Sequence, residues 1–288
     1  MCGIAGILYK EIHKKNQLFT DEKIKFMISA LYHRGPNQTN IWQENPIDPI
    51  LAHSRLKIIE LSDLGSQPMI SNCKRFVIVF NGEIYNYKIL KKNLIKLGHS
   101  FKGNSDTEVL LNSIKEWGMN TALAKIRGMF AFSLWDRQKE SLFLARDIFG
   151  EKPVYYINYE DCFYFSSEIK SFYSSLFNLE INNESLKNYL QFGFISNNKS
   201  IFKNVHKLLP GSYLEISKRK KLKIVQYWNP IDQIKKSKKK LLNNENSNIN
   251  KLENLLTNSV NEKLNADVPV GCFLSSGIDS SIIASLAS

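Results

Sequence analysis

The chain begins Met1-Cys2-Gly3-Ile4-Ala5-Gly6-Ile7. A small second residue permits removal of the initiator Met, which leaves Cys2 with a free α-amino group. That amine has a reference pKa of about 7.7–8.0. It can therefore take the proton of its own thiol near neutral pH, the cysteine counterpart of the N-terminal threonine device. No separate histidine base is needed. The competing reading of Cys2 is a small buried hydrophobe on an edge strand. A second candidate lies near the other end, in Phe273–Ser281 (FLSSGIDSS). An apolar run, a small-residue loop and a helix start form a place to hold phosphate. Small residues admit the backbone, hydroxyls donate, and the helix N-terminus favours negative charge. The G-K-[ST] ending of a Walker A loop is absent. The structural alternative is a Ser/Gly turn with Asp279 capping the helix.

Three stretches between these ends have local structural readings of their own. FVIVF-NG-EIYNY, residues 76–87, has the form of a β-hairpin, because Asn-Gly is a strong turn signal. Leu51–Leu61 (LAHSRLKIIEL) alternates, which puts Arg55 and Lys57 on the wet face of a strand. Ser105-x-x-Glu108 is a capping-box pattern, with Asp106 in the first helical turn where the dipole favours it.

The elements that must position these groups follow from periodicity. Ile4–Tyr9, Phe76–Phe80, Met129–Trp135, Ser141–Ala145 and Pro153–Ile157 read as strands. Asp21–Leu31 and Ser105–Trp117 carry helical spacing. Many strands with a few long helices predict a layered α/β sandwich. Residues 182–230 are mixed, and Lys/Asn-rich 231–250 reads as a linker or exposed loop. Lys251–Leu264 is expected to be a helix and Val268–Leu274 a buried strand.

Composition narrows the class. The chain has 288 residues, 43% hydrophobic and 23% charged, with no apolar run long enough to span a membrane. Residues 2–9 are apolar but too few for the core of a signal peptide, and no basic segment precedes them, so a cytoplasmic location is expected. The four cysteines form no metal-ligand cluster with histidine and read as free thiols; no metal site is expected. The net charge of +12 sits largely in Lys218–Lys223 and Lys235–Lys240. These read as solvated loops, and nucleic acid is not expected as a partner.

Taken in order, the motifs resemble the class II glutamine amidotransferases, whose N-terminal-nucleophile domain hydrolyses glutamine to glutamate and ammonia. MCGIAGI is similar to their start. His33–Asn37 (HRGPN) resembles their HRGPD loop, with Asn37 in the place of Asp. LAHSRLKIIEL, FNGEIYNY (80–87), SDTEVLL (105–111), GMFAF (128–132), ARDIFGEKPVYY (145–156) and SSEIK (166–170) follow across the first 170 residues. The resemblance implies a four-layer αββα sandwich over residues 1–180 and a connecting segment over 181–230. It implies that Cys2 is the nucleophile and that Asn81 and Gly82 form the oxyanion hole. Arg55 would bind the glutamine α-carboxylate, which a guanidinium can hold through two parallel hydrogen bonds. Asp106 would bind the α-ammonium, and Ile58, Ile59 and Glu83 would complete the glutamine site.

VGCFLSSGIDSS resembles the LLSGGLDSS motif of pyrophosphate-loop ATP-utilising enzymes, with Ser276 in the place of the first Gly. Leu274, Ser275, Ser276, Gly277, Asp279, Ser280 and Ser281 would form that ATP site. A Cβ at position 276 is a hindrance if the loop needs positive φ there. An N-terminal glutaminase followed by this loop resembles the glutamine-dependent asparagine synthetases. Their substrates are glutamine, aspartate and ATP with Mg2+, and the glutaminase itself needs no cofactor. Glucosamine-type relatives lack the loop, and β-lactam synthetases lack the cysteine. Amidotransferases of surface-sugar pathways share the motifs. The alternative outside enzymes is a basic binding protein on a degenerate glutaminase fold. Residues 251–288 are expected to be only the start of a doubly wound ATP domain, so this chain should complete only the glutaminase half. The partner expectation is a homodimer or a separate C-terminal synthetase chain.

Overall fold

The computed structural model describes residues 1–9, 17–46, 48–159, 161–173, 177, 179–196, 198–217, 222–237 and 245–288. One six-stranded antiparallel sheet contains β1 (Gly3–Tyr9), β2 (Gln38–Trp42), β3 (Ile50–Arg55), β8 (Tyr155–Tyr159), β9 (Cys162–Ser166) and β10 (His206–Lys207). A second contains β4 (Met69–Ile70), β5 (Phe76–Ile84), β6 (Gly128–Asp136), β7 (Ser141–Arg146), β11 (Ser212–Ser217) and β12 (Leu222–Gln226). The first runs in the order β10-β8-β9-β1-β3-β2, the second β12-β11-β7-β6-β5-β4. Helix α1 (Gln17–Ser29) covers the first sheet, and α2 (Tyr87–Lys96) with α3 (Asp106–Lys125) covers the second. The four-layer αββα sandwich expected from the motifs is therefore the fold.

The layering explains the strand sequences. A strand buried on both faces must be apolar on both. In β5, Val77 and Val79 face the other sheet, while Phe76, Ile78 and Phe80 pack beneath α2 and α3. In β1, Ile4 and Leu8 point between the sheets, and Ala5 and Ile7 meet Ile24, Met27 and Leu31 around α1. Each such side chain contributes roughly 1.5–3 kcal/mol when fully buried.

Several expectations are corrected. Asn81-Gly82 is not a hairpin turn; β5 runs straight through it, with Asn81 opposite Ala131 and Gly82 opposite Phe130. The local turn preference loses to nine consecutive pairings with β6. Arg55 is not on a wet face: it ends β3 and is 3% exposed, because both faces of this strand are covered. Lys57 lies beyond the strand. The capping box is only half formed, since Ser105 Oγ accepts from Thr107 N while Glu108 turns to the N–H groups of Lys102 and Gly103. The helix also runs on to Lys125, across a kink at Gly118.

Residues 181–230 do more than connect. They supply α4 (Asn183–Phe192) and strands β10, β11 and β12 to both sheets. The expected linker begins as α5 (Pro230–Ser237), capped by Asn229 Oδ1 on Ile231 N at 2.9 Å, and ends inside α6 (Glu245–Lys263). Its Lys/Asn composition masked that helical backbone. Val268–Leu274 forms no strand: it starts in a bend and goes on without regular structure, and Val270, Phe273 and Leu274 are exposed. An apolar run becomes a buried strand only when neighbours complete its ladder. The expected helix after the loop is α7 (Ile278–Ala287). Much of the two lysine tracts, residues 218–221 and 238–240, lies outside the described residues. No helix among the described residues is long and apolar enough to cross a membrane.

Among the described residues one imidazole is buried in the interior. His53 of β3 lies between the sheets at 1% exposure, with Nε2 at 3.1 Å from the Phe80 carbonyl oxygen. Burial pushes its pKa down to about 3. The folded value is below the unfolded one, so the unfolded chain takes the proton first. Stability from this group is complete above about pH 6.5 and falls with pH below it, by about 2 kcal/mol at pH 5. We predict that an NMR titration finds the His53 ring neutral down to pH 5; a midpoint near 6.5 would contradict the buried neutral ring.

Candidate active site

Cys2 stands one residue before β1. The pairing of Gly3 with Ser54 brings it beside the end of β3. Leu56 N donates to Cys2 Sγ at 3.4 Å, and the thiol points back to the Leu56 carbonyl at 3.7 Å. Arg34 fixes the backbone, with Nε donating to the Cys2 carbonyl at 3.0 Å and a terminal nitrogen 2.7 Å from Glu168. Burial raises the thiol pKa, a trend opposed by the Leu56 N–H. The resting sulfur is thus a thiol, and it needs a base to react as thiolate.

One pocket gathers the candidates from distant parts of the chain. Cys2, Arg55, Ile58, Ile59, Asn81, Gly82, Glu83 and Asp106 all line it. The edge of β5 is arranged for it. Phe130, opposite Gly82, exchanges backbone bonds with Asp147: its N–H donates to Asp147 Oδ2 and its carbonyl accepts from Asp147 N. That leaves Phe80, Gly82 and Ile84 with their N–H groups on the side away from β6. Phe80 N is taken by Gln67 Oε1 at 2.6 Å and Ile84 N by Asp106 Oδ2 at 2.9 Å, and Gly82 lies between them in the pocket wall. Asn81 is 1% exposed, yet neither atom of its side-chain amide has a hydrogen-bond partner. A buried amide without partners is costly, and such groups mark sites where a ligand supplies the missing bond.

The pocket's charges are poised. Asp106 is buried, and that burial raises its carboxyl to about 7, against the Ile84 hydrogen bond. Glu83 is raised by burial and pulled back by Lys152. Lys152 is 5% exposed and lowered by burial, and its ammonium sits 3.0 Å from the Met1 sulfur. The Met1 amine is lowered mainly by burial, with Lys152 and Arg34 adding to it and the Cys2 sulfur and Glu83 opposing it. Arg55 donates to the Ser62 carbonyl at 3.0 Å and to the Glu60 carbonyl, which tie it to the turn after β3. Asn37 does structural work: its Oδ1 accepts from Lys57 N at 3.0 Å, a bond that Asn makes as well as Asp.

Sequence reasoning passed over Arg34, Gln67 and Lys152. Arg34 and Lys152 stood inside HRGPN and ARDIFGEKPVYY, so their motifs were visible while their roles were not. Gln67 gave no signal, since it reaches β5 only through the fold.

The loop at 274–281 contributes nothing to this pocket. Gly277 caps α7 with φ −79°, and Ser276 is not in the left-handed region, so its Cβ meets no conformational penalty. Asp279 lies in the first turn and makes no capping bond. Ser275 and Ser280 bond each other at 2.8 Å on an exposed surface, and Ser281 Oγ donates to the Gly277 carbonyl at 2.9 Å. Among the described residues no cluster could hold a metal ion.

Residues 1–228 match the glutamine amidotransferase domain family, and the chain belongs to it. Residues 251–288 match the asparagine synthase family. Among curated proteins the chain is similar to asparagine synthetase [glutamine-hydrolyzing] 1 of Bacillus subtilis, 36% identical over 288 residues, all of this chain and 44% of that protein. It is also similar to amidase chry2 of Gibberella zeae, 32% identical across the whole chain and 43% of the relative. The chain thus spans a little under half the length of these relatives. Among solved structures, the glutamine phosphoribosylpyrophosphate amidotransferase of Bacillus subtilis shares the fold, with a TM-score of 0.56 and 19% identity, covering 79% of this chain and 49% of that one.

Gly82 is the backbone constraint on this wall. A Cβ there would stand 2.2 Å from the Met129 carbonyl oxygen. Gly82→Ala is expected to cost roughly 1–3 kcal/mol in stability, read by chemical denaturation.

Proposed function

We propose that the chain hydrolyses free L-glutamine to glutamate and ammonia, as the N-terminal half of a glutamine-dependent asparagine synthetase. The observation that carries the glutaminase reading is the partnerless Asn81 amide in the same pocket as Cys2. Loss of Met1 exposes the Cys2 α-amine. The amine takes the thiol proton, and the thiolate attacks the glutamine carboxamide carbon. The oxygen that gains negative charge is held by the Asn81 amide and the Gly82 N–H. Donors aimed at developing charge act strongly in a water-poor site. The amine then protonates the departing nitrogen, ammonia leaves, and a thioester remains. Water, deprotonated by the same amine, releases glutamate and restores the thiol.

Recognition of the whole amino acid uses both ends. Arg55 binds the α-carboxylate, and Asp106 with Glu83 binds the α-ammonium. Arrival of the ammonium stabilises the charged form of Asp106, whose carboxyl near 7 is otherwise about half protonated at neutral pH. A peptide-bound glutamine offers neither end and is refused.

The synthetase half of the reading rests on residues 251–288 and on the names of the full-length relatives. In that reading ATP, with Mg2+, activates aspartate, and ammonia from the pocket amidates it. Ser275, Gly277, Ser280 and Ser281 would take the pyrophosphate. The Ser275–Ser280 bond is exposed and can be exchanged for a phosphate oxygen. Leu274 and Ser276 would complete the loop, and Asp279 would help organise the magnesium. A cytoplasmic setting fits this metabolism.

The test is glutamate release from glutamine by purified chain whose Met1 has been removed. Cys2→Ala should abolish it. Asn81→Ala should lower kcat by about 10²–10³-fold with a much smaller change in KM. Turnover that survives Cys2→Ala would end the proposal.

A further inference from the structure

The turn that holds Arg55 is itself held from the far end of the chain. Glu60 has φ 58°, a left-handed conformation that a residue with a Cβ adopts at a cost. Five bonds converge on it. Its carbonyl accepts from Arg55, its Oε1 accepts from the Ser62 hydroxyl and from Ser62 N at 3.3 Å, its Oε2 accepts from Asn104 N at 2.8 Å, and its N–H donates to Asp267 Oδ2 at 2.7 Å. Asp267 also returns a bond, its N–H donating to the Ile58 carbonyl at 2.9 Å. Residues 58–60 are thus clasped by one carboxylate residue more than 200 positions away. Ile58 and Ile59, inside the clasp, line the pocket.

Asp267 belongs to the segment that leads into the 274–281 loop, within the part matching the asparagine synthase family. The same segment is anchored further in the residues just before the clasp. Glu262 pairs with Arg127, Lys263 stands 4.4 Å from the Tyr85 ring centre, and Asn265 Oδ1 accepts from Lys88 at 2.6 Å. These contacts run along the outside of the pocket, on the side of α2 and the turn after β3. They contribute no atom to the pocket lining.

We infer that Asp267 is a positioning residue for the glutamine carboxylate site, holding Arg55 in place through Glu60. The inference rests on the reading of Arg55 as the carboxylate ligand. Asp267 touches no substrate. It keeps the Glu60 carbonyl where it restrains one terminal guanidinium nitrogen, while the Ser62 carbonyl restrains the other, in the wall of the pocket. A bidentate contact depends on orientation, so a loosened guanidinium loses carboxylate affinity before it loses anything else. The arrangement also makes the glutamine site depend on the segment that introduces the second family's sequence. Any shift of residues 262–267 reaches Arg55 through two hydrogen bonds in series, Asp267 to Glu60 and Glu60 to Arg55.

The experiment uses the full chain with Met1 removed and compares two substrates. One is L-glutamine. The other is 4-aminobutanamide, a shorter amide that carries an amine and no α-carboxylate. Asp267→Ala should raise KM for L-glutamine about tenfold with kcat within about twofold, and leave kcat/KM for 4-aminobutanamide unchanged. Asp267→Asn keeps a side-chain oxygen for the Glu60 N–H and should recover most of the loss. An equal loss on both substrates, or no change with L-glutamine, would overturn the inference. If the parent chain turns over neither amide, the glutaminase reading fails, and amide hydrogen exchange still decides the clasp. Exchange at Glu60 should speed up at least tenfold in Asp267→Ala, and an unchanged rate there would overturn the link.

Discussion

The site depends on the register of β1 against β3. With Gly3 opposite Ser54, Cys2 meets Leu56 and the pocket closes around the sulfur. A slip of one residue would turn every side chain of β1 to the opposite face. Packing forbids that slip. Ile4 and Leu8 fill the space between the sheets, and Gly6 lies so close to Phe165 and the Ile50 carbonyl that no Cβ fits. Cys2, the proposed nucleophile, is thus placed by apolar side chains outside the pocket lining. The second sheet answers with a parallel constraint: the pairing of Gly82 with Phe130 turns the Gly82 N–H away from β6, in the wall of the pocket that Cys2 also lines.

Burial then sets the chemistry. The pocket holds a thiol raised by desolvation, a carboxyl near 7, a lysine lowered by desolvation, and an amide with no partner. In each of these three titrating groups burial favours the neutral form. An incoming zwitterion reverses that balance at both of its ends, and its carboxamide meets the waiting amide. Recognition and catalysis in this reading therefore use one physical resource, a dry site whose polar groups lack only the ligand.

The β-rich core was legible because its central strands carry apolar residues on both faces, as FVIVF in β5 does. The pocket residues were legible only as motifs in order. Nothing local connects Cys2, Arg55, Asn81 and Asp106, which lie on different elements and meet through the fold. Where local signals were read alone they misled. Asn-Gly predicts a turn, but its place in β5 is fixed by β6. Alternation puts Arg55 in water, but β3 is covered on both faces. The apolar stretch Val268–Leu274 reads as a buried strand, but burial needs neighbours that pair with it. Lys/Asn-rich residues hid the ends of two helices. Asp267 gave no signal at all, since its meaning lies in a contact with residues 58 and 60.

The central claim is that Cys2, freed of Met1, is a nucleophile activated by its own amine and addressed by glutamine. Intact-mass analysis after exposure to the glutamine analogue 6-diazo-5-oxo-L-norleucine tests it directly. The account predicts a chain lacking Met1 that gains one analogue adduct, located at Cys2 by peptide mapping and prevented by excess L-glutamine. A processed chain that stays unlabelled, or is labelled at Cys73, Cys162 or Cys272 instead, would contradict it.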